Sequence, residues 1–198
     1  MASEVPFVGL TGGLGAGKST ALALLQGLGA EVISTDAIVH ELYEGEQLRD
    51  AVLERFGPAV APGGVVDRAA LAQCAFASPE DRAWLERLIW PMVAARVAAW
   101  LQGVRARRQP ARAAVVEVPL LFEAGQEAIY DATIAVLASE DLRRVRAADR
   151  GHKLVGERVA RQLPQEDKAR RATFVVRNDG SLNELERQLS DVLAKLSR

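Results

Sequence analysis

Short apolar runs alternate with helical patterns along the chain. The runs lie at 7–10, 31–33, 113–118, 132–137 and 173–176, and each is long enough for a strand. Continuous apolar character is typical of parallel strands that are buried on both faces. Helices between such strands supply the crossover connections. The pattern therefore predicts an α/β fold with a five-stranded parallel sheet and helices on both faces.

The segment from 37 to 108 has a different character, because helical periodicity continues through it without a strand. Leu48, Val52 and Phe56 recur at helical spacing on one face. Pro91 falls inside a helical pattern and is expected to kink or split that helix. The segment is far longer than a crossover needs, so we expect a separate helical lobe.

Capping residues mark where several helices begin and end. Asp67 and Ser78 are predicted N-caps, and Ser181 is predicted to open the last helix through a capping box. A further helix is expected over 153–162, with Pro164 ending it. The last helix carries one apolar stripe that we expect to be buried: Leu182, Leu185, Leu189, Val192 and Leu196.

A glycine-rich stretch directly follows the first apolar run. Residues 12–19 read GGLGAGKS and fit the pattern Gly, four residues, Gly-Lys-Ser/Thr. A strand before it and a helix after it are the surroundings that a phosphate-binding P-loop requires. Glycines let backbone N–H groups turn towards an anion, so Lys18 is expected at the β- and γ-phosphates and the Ser19 hydroxyl on Mg²⁺. The alternative, a glycine-rich turn that binds nothing, fits these surroundings less well.

Two carboxylates lie near the carboxyl ends of predicted strands, the edge where ligands bind in open α/β sheets. Asp36 comes just after the second strand. Its carboxylate could accept a hydroxyl proton or hold Mg²⁺, but it could equally be the N-cap of the next helix, and the local sequence leaves both open. Glu117 lies near the end of a buried strand, where P-loop enzymes usually keep a second magnesium-coordinating acid.

Arginines recur at helical spacing in the segment after 138. Arg143, Arg146 and Arg150 share one face of a predicted helix. Such a face is commonly solvated. In a P-loop protein, however, a basic helix can also close over a triphosphate and neutralise charge in the transition state.

Composition excludes several classes of protein. The net charge of the 198 residues is −1, so no general affinity for nucleic acid or membrane surfaces is expected. One cysteine allows neither an internal disulfide nor a thiolate zinc cluster. No apolar run approaches the roughly 18 residues of a membrane span, and the N-terminus lacks the pattern of a secretory signal. These features favour a reducing, cytoplasmic setting.

With these residues in place, the chain resembles the dephospho-CoA kinase family from about residue 7 to residue 190. Six motifs in the family's order carry the resemblance, and the long ones are more specific than a bare P-loop. They are GLTGGLGAGKST at 9–20, VISTD at 32–36, Asp67-Arg68, VPLLFE at 118–123, Arg146 with Arg150, and Arg158 with Gln162, Lys168, Asn178 and Gly180.

The resemblance implies a fold like that of nucleoside monophosphate kinases. It divides the chain into a nucleotide-binding core (1–36, 109–138 and 166–198), a helical lobe for the CoA substrate (37–108) and a lid (139–165). The implied reaction transfers the γ-phosphoryl group of ATP to the ribose 3′-hydroxyl of dephospho-CoA. Dephospho-CoA is the implied partner, and no obligate protein partner is implied.

The resemblance also assigns roles to individual residues. Asp36 aligns with the general base, and Arg146 aligns with a lid arginine at the phosphates, so the implied catalytic residues are Asp36, Lys18 and Arg146. The implied nucleotide-binding residues are Gly13, Gly15, Ala16, Gly17, Lys18, Ser19, Thr20, Arg150 and Asn178. The implied substrate-binding residues are Thr11, Asp36, Leu120 and Leu121. The implied magnesium ligands are Ser19 and Glu117.

Three departures from the family pattern bear on these roles. Ser34 stands where the family usually has an acid, Trp90 where it has a histidine before Pro91, and Glu117 where aspartate is common.

A kinase for another small acceptor, a nucleotide or a sugar acid, is the nearest alternative function. A regulatory binder without chemistry is a second alternative. A GTPase switch is disfavoured, because neither Asp-x-x-Gly nor Asn-Lys-x-Asp occurs in the sequence.

Overall fold

The computed structural model describes residues 5–149 and 162–197. Within these residues five parallel strands form one sheet in the order β2-β3-β1-β4-β5, which confirms the predicted fold class. The strands are β1 (Phe7–Gly12), β2 (Glu31–Ser34), β3 (Ala114–Glu117), β4 (Ala132–Leu137) and β5 (Phe174–Arg177). Because all strands are parallel, their carboxyl ends share one edge of the sheet, and β1 delivers the glycine-rich loop to that edge.

The helices of the described residues are α1 (Lys18–Gly27), α2 (Thr35–Glu44), α3 (Glu46–Phe56), α4 (Arg68–Phe76), α5 (Pro79–Arg105), α6 (Glu140–Asp149), α7 (Gln165–Arg171) and α8 (Leu182–Leu196). Short 3-10 turns at Pro58–Val60, Pro62–Gly64 and Glu127–Ile129 complete the regular structure. None of these helices, over 5–149 and 162–197, combines the length and the apolar character that crossing a membrane would require.

The chain forms two compact units, one of Met1–Ser34 with Leu101–Arg198 and one of Thr35–Trp100. In the first unit, β1, β3 and β4 are fully buried and pack with one face of α1 and α8. The apolar side chains that these strands direct towards α1 and α8 therefore form one core with the two helices.

The second unit has its own core, formed by α3, α4, the middle of α5 and the loop between α3 and α4. Leu48, Val52, Val60 and Leu71 are buried there. Asp67 caps α4 as predicted, accepting from the N–H groups of the residues two and three positions later.

Helix α5 decides one of the two expectations at Pro91, that the helix is split there. The helix is not split but runs for 27 residues with Pro91 inside it. Its predicted start is confirmed, because Pro79 is the first helical residue and the Ser78 hydroxyl accepts from the N–H of Asp81 at 3.0 Å. Apolar packing on both sides of Pro91, by Ile89 and Val93, holds the two halves in one element.

Two expectations near the C-terminus also need correction. Pro164, which was expected to end a helix, is the N-cap residue of α7, a helix that the periodicity did not predict. Residues 153–161 of the predicted preceding helix lie outside the described residues. Leu182 is 60% exposed, because it is the first residue of α8, on the turn that the capping box of Ser181 holds at the surface.

Candidate active site

The glycine-rich loop connects the end of β1 to the start of α1. Two of its glycines have left-handed conformations, with φ of 74° at Gly15 and 92° at Gly17, which residues with a side chain rarely adopt. The N–H of Ala16 donates to the carbonyl of Gly13 at 3.1 Å and closes the turn. Gly17 is the N-cap of α1, so the chain arrives at the helix end where unpaired N–H groups lie. The loop therefore has the form of an anion cradle at a helix N-terminus.

Lys18 and Ser19, the first residues of α1, bring a cation and a hydroxyl to this cradle. Nζ of Lys18 donates to the carbonyl oxygens of Gly12 at 3.1 Å and Gly13 at 3.4 Å. These bonds keep the ammonium beside the loop. Ser19 is exposed and Thr20 half-buried. These three residues, which were predicted to contact a nucleotide, thus directly follow the loop, and their individual roles stay predictions.

Helix α6 approaches the loop closely enough to require glycine. A Cβ added to Gly13 would lie 3.0 Å from the guanidinium carbon of Arg143. A Cβ added to Gly15 would lie 2.3 Å from the backbone carbonyl oxygen of Arg143, closer than a Cβ can approach. The glycines of this loop therefore make room for α6 as well as for an anion.

Arg143 and Gln162 contact the loop residue Leu14, and neither was assigned to the site from the sequence. Nε of Arg143 donates to the carbonyl oxygen of Leu14 at 2.9 Å. The N–H of Leu14 donates to Oε1 of Gln162 at 3.0 Å. Helical spacing placed Arg143 on the same face as Arg146, but no local signal connects either side chain with Leu14.

Asn178 and Arg146 support the other half of the loop. Nδ2 of Asn178, a buried side chain, donates to the carbonyl oxygen of Ala16 at 2.9 Å. Nη1 of Arg146 donates to the carbonyl oxygen of Asn178 at 3.2 Å, and lies 4.0 Å from where a Cβ on Gly17 would be. Both predicted residues are therefore at the loop, whereas Arg150 lies outside the described residues.

Glu117 is the last residue of β3 and lies at the edge of the sheet that carries the loop. In the strand register it stands beside Leu10 of β1 and Ser34 of β2. Its side chain is buried, with 8% of the residue exposed. The structure thus places a carboxylate where the sequence predicted one, on the strand adjacent to β1.

Asp36 lies in the first turn of α2 rather than before the helix. The alternative to a role in proton transfer or Mg²⁺ binding was that Asp36 is the N-cap of a helix beginning at Ala37, but the helix begins at Thr35. The carboxylate still suits the positive end of the helix dipole, and the residue is exposed.

The residues predicted to contact the acceptor differ in exposure. Thr11 is fully buried, and its hydroxyl donates to the carbonyl oxygen of Pro119 at 3.3 Å. Leu121 is fully buried, while Leu120 is half-buried. Thr11 and Leu121 therefore face the protein interior, where they shape the chain segment that leaves β3.

A glycine loop closed at a helix N-terminus, on the central strand of a five-stranded parallel sheet and with an arginine beside it, defines a P-loop nucleotide-binding protein. A sequence model of the dephospho-CoA kinase family matches residues 6–184. The chain belongs to the dephospho-CoA kinase family, so it is a kinase of CoA biosynthesis. The family and the activity predicted from the motifs are thereby confirmed.

Individual relatives agree with the family match. The chain is 41% identical over 192 residues to the dephospho-CoA kinase of Deinococcus radiodurans, covering 96% of this chain and 91% of that one. It is 38% identical over 205 residues to the dephospho-CoA kinase of Chlorobaculum tepidum, covering 99% of this chain and 98% of that one.

Solved structures agree with the fold. A crystal structure from Thermus thermophilus is 36% identical to this chain in sequence and superposes with a TM-score of 0.81. The match covers 99% of this chain and 100% of that one. The dephospho-CoA kinase from Campylobacter jejuni superposes with a TM-score of 0.66 at 22% identity, over 98% of this chain and 99% of that one. The second likeness supports the P-loop kinase fold alone.

Proposed function

We propose that this chain transfers the γ-phosphoryl group of ATP to the ribose 3′-hydroxyl of dephospho-CoA, forming coenzyme A and ADP. The observation that carries the proposal is the closed glycine loop at the start of α1, in a chain that belongs to the dephospho-CoA kinase family. The loop supplies the donor site, and the family supplies the acceptor.

ATP binds with its phosphates in the loop. Backbone N–H groups from Gly15 to Ser19 and the N-terminus of α1 offset the negative charge of the β- and γ-phosphates. Lys18 adds a cation beside the loop, where phosphate oxygens can replace the carbonyl oxygens of Gly12 and Gly13 as acceptors of its hydrogen bonds. Asn178 shapes this site through the Ala16 carbonyl, and Arg150 contributes from outside the described residues.

The oxygen-bearing side chains beside the loop are suitable ligands for Mg²⁺. Among residues 5–149 and 162–197, no three His, Cys, Asp or Glu side chains cluster as a metal site. Mg²⁺ needs no such cluster, because it commonly takes one or two protein oxygens and completes its shell with phosphate and water. The exposed hydroxyl of Ser19 and the carboxylate of Glu117 would hold the ion, which supplies charge neutralisation when bound.

Asp36 is the general base towards the acceptor hydroxyl. Support comes from its alignment with the family's base, its exposure, and its place two residues beyond the end of β2. Its carboxylate orients the 3′-hydroxyl and accepts its proton as the oxygen–phosphorus bond forms and the bond from γ-phosphorus to the bridging oxygen breaks. A positioned proton acceptor contributes typically about 10²–10⁴-fold to the rate.

Arg146 stabilises the transferring phosphoryl group. Its guanidinium lies beside Gly17, at the start of α1, so it is near the loop in which the phosphates of ATP would bind. Since phosphoryl transfer has a loose transition state, charge neutralisation and positioning supply most of the acceleration.

We propose the division of the chain that the family implies. Residues 1–36, 109–138 and 166–198 bind the nucleotide, 37–108 binds the CoA substrate, and 139–165 covers the phosphates. A cytoplasmic setting is the matching prediction for an enzyme with a single cysteine.

The test is ADP formation from ATP and Mg²⁺ with a panel of acceptors: dephospho-CoA, AMP, adenosine, shikimate and gluconate. We expect ADP release with dephospho-CoA only, and no release from the Lys18→Met variant. Release with another acceptor and not with dephospho-CoA would overturn the acceptor assignment. ATP binding without transfer to any acceptor would overturn the kinase assignment.

A further inference from the structure

Both backbone polar groups of Leu14 are held by side chains from distant parts of the chain. Its carbonyl oxygen accepts from Nε of Arg143 at 2.9 Å, and its N–H donates to Oε1 of Gln162 at 3.0 Å. We call Leu14, Arg143 and Gln162 the Leu14 clamp. These partners lie 129 and 148 positions along the chain from Leu14, so the clamp is purely a tertiary contact.

The clamp determines the orientation of two peptide groups in the phosphate cradle. The Leu14 carbonyl belongs to the peptide whose N–H comes from Gly15, and the Leu14 N–H belongs to the peptide whose carbonyl comes from Gly13. Fixing these two atoms therefore fixes both peptide planes on either side of Leu14. The Gly13 carbonyl in turn accepts from Ala16 N–H and from Nζ of Lys18.

Glycine backbone at 13 and 15 makes such fixing necessary. Glycine loses more conformational freedom on ordering than any other residue, so an unsupported loop would sample many orientations of its N–H groups. A cradle that is already ordered binds an anion more tightly than one that must be ordered on binding.

We infer that Arg143 and Gln162 are positioning residues that pre-organise the loop for ATP by holding the Leu14 peptide groups. This inference rests on the proposed ATP site. It assigns Arg143 a role that differs from the charge-neutralising role of Arg146, since Arg143 acts through Nε and the Leu14 carbonyl.

Substitutions of Arg143 that differ in where the side chain carries a nitrogen separate a positioning role from a charge role. In Arg143→Gln, Nε2 follows Cδ as Nε does in arginine, so the donor to Leu14 is kept and the charge is lost. In Arg143→Lys a methylene replaces Nε, so this donor is lost and the charge is kept. Arg143→Met loses both. Arg144→Gln is the matched control, because Arg144 is on the same helix, exposed, and paired with Glu140.

The first measurement is the dissociation constant of ATP with Mg²⁺, together with kcat and the KM of each substrate. We expect Arg143→Met and Arg143→Lys to weaken ATP binding roughly tenfold, the size of one hydrogen bond to a charged group, with the KM for dephospho-CoA unchanged. Arg143→Gln should retain most of the affinity, and Arg144→Gln should match the wild type. Rescue by lysine instead of glutamine would show a charge role and overturn the inference, as would affinities equal to wild type in all three variants.

Substitution of Gln162 allows a second, independent test of the inference by a double-mutant cycle. Gln162→Met should weaken ATP binding to a similar extent. The double variant with Arg143→Met should lose less than the product of the two single losses, because both act on one residue. Fully independent effects would contradict a shared action through Leu14.

Amide hydrogen exchange at Leu14, measured without nucleotide, keeps this test separate from the proposed function. We expect the Leu14 amide to be protected in the wild type and to exchange faster in Gln162→Met. Equal exchange in both would overturn the clamp whatever the enzyme's substrates are. A wild-type protein that shows this protection but binds no ATP would instead contradict the proposed function.

Discussion

The ammonium of Lys168 lies 2.7 Å from Oε1 of Glu123, and the lysine side chain has no exposure to solvent. The same Glu123 oxygen accepts the N–H of Leu163 at 2.8 Å, and Nζ of Lys168 also donates to the carbonyl oxygen of Pro119 at 3.5 Å. Thr11 donates to that same carbonyl. A buried ion pair thus connects α7, the segment leaving β3 and the strand that carries the glycine loop.

Removing one partner of this pair should strongly destabilise the protein. We expect Lys168→Met to lower the free energy of unfolding by about 3–5 kcal/mol, because it leaves the Glu123 carboxylate buried without its cation. The measurement is urea-induced unfolding followed by circular dichroism.

The double variant Lys168→Met with Glu123→Gln should recover part of this loss, since the buried charge is gone and the Leu163 N–H keeps an acceptor. Arg170→Met is the control: Arg170 is on the same helix in an exposed pair with Asp167, and its loss should change stability by less than about 1 kcal/mol. A double variant less stable than Lys168→Met would contradict this account of the pair.

Alanine at two neighbouring glycines should have very different effects. At Gly15 a Cβ would meet the backbone carbonyl of Arg143 at 2.3 Å, and the φ of 74° is unfavourable for alanine. At Gly13 it would meet only the end of the Arg143 side chain, at 3.0 Å, which can move. We expect Gly15→Ala to abolish measurable ATP binding and Gly13→Ala to weaken it about tenfold or less, as seen by titration calorimetry. Equal losses would show that α6 does not pack against the loop in this way.

Asp36→Asn should lower kcat by about 10²–10⁴-fold, because the amide cannot accept the proton of the acceptor hydroxyl. The dissociation constant of ATP should stay near its wild-type value, since Asp36 is assigned to the acceptor. Glu44→Gln, an exposed acid at the other end of α2, is the matched control and should leave kcat unchanged. A nearly normal kcat in Asp36→Asn would remove Asp36 from the base role.

Tyr130 should make stability depend on pH in the alkaline range. Burial raises the pKa of Tyr130 to about 12, from an ordinary value near 10. The folded state therefore keeps the phenol proton longer than the unfolded chain does. This contribution is complete below about pH 10 and is lost as the pH rises from about 10 to about 12.

The measurement is the free energy of unfolding between those two pH values. We expect the free energy of unfolding to fall less steeply with pH in Tyr130→Phe than in the wild type, and Tyr43→Phe, which removes the only other tyrosine, leaves a chain whose phenolate absorbance comes from Tyr130 alone. Absorbance of the phenolate would show the titration directly. A Tyr130 that ionises near pH 10 would contradict its burial against Phe7.

The sequence predicts the parts of this fold that depend on local pattern. The strands follow from continuous apolar runs, the loop from its glycines and Lys18, and the capping boxes and N-caps from single side chains such as Asp67. Helix α7 was missed because its seven residues are mostly charged and follow a proline, and only the acids of its first turn indicate a helix start. The split that was expected as one outcome at Pro91 does not occur, because apolar packing within the second unit outweighs the local penalty of proline.

The parts of the site that were missed depend on contacts between distant positions. Spacing placed Arg143 on a basic face but could not say that its Nε reaches the Leu14 carbonyl rather than solvent. Gln162 and Lys168 were noticed only as family motif residues, and their contacts with Leu14 and Glu123 become visible only when the chain is folded. Leu182 was expected to be buried because it continues the apolar stripe of α8, and periodicity alone does not show that the first residue of the helix is exposed.

The most direct measurement is the transfer of labelled γ-phosphate from ATP to dephospho-CoA, with the position of the label determined on the isolated product. The account predicts label on the ribose 3′-oxygen, with transfer lost in Lys18→Met and strongly reduced in Asp36→Asn. Label on another oxygen, or on a competing acceptor such as AMP in place of dephospho-CoA, would contradict it.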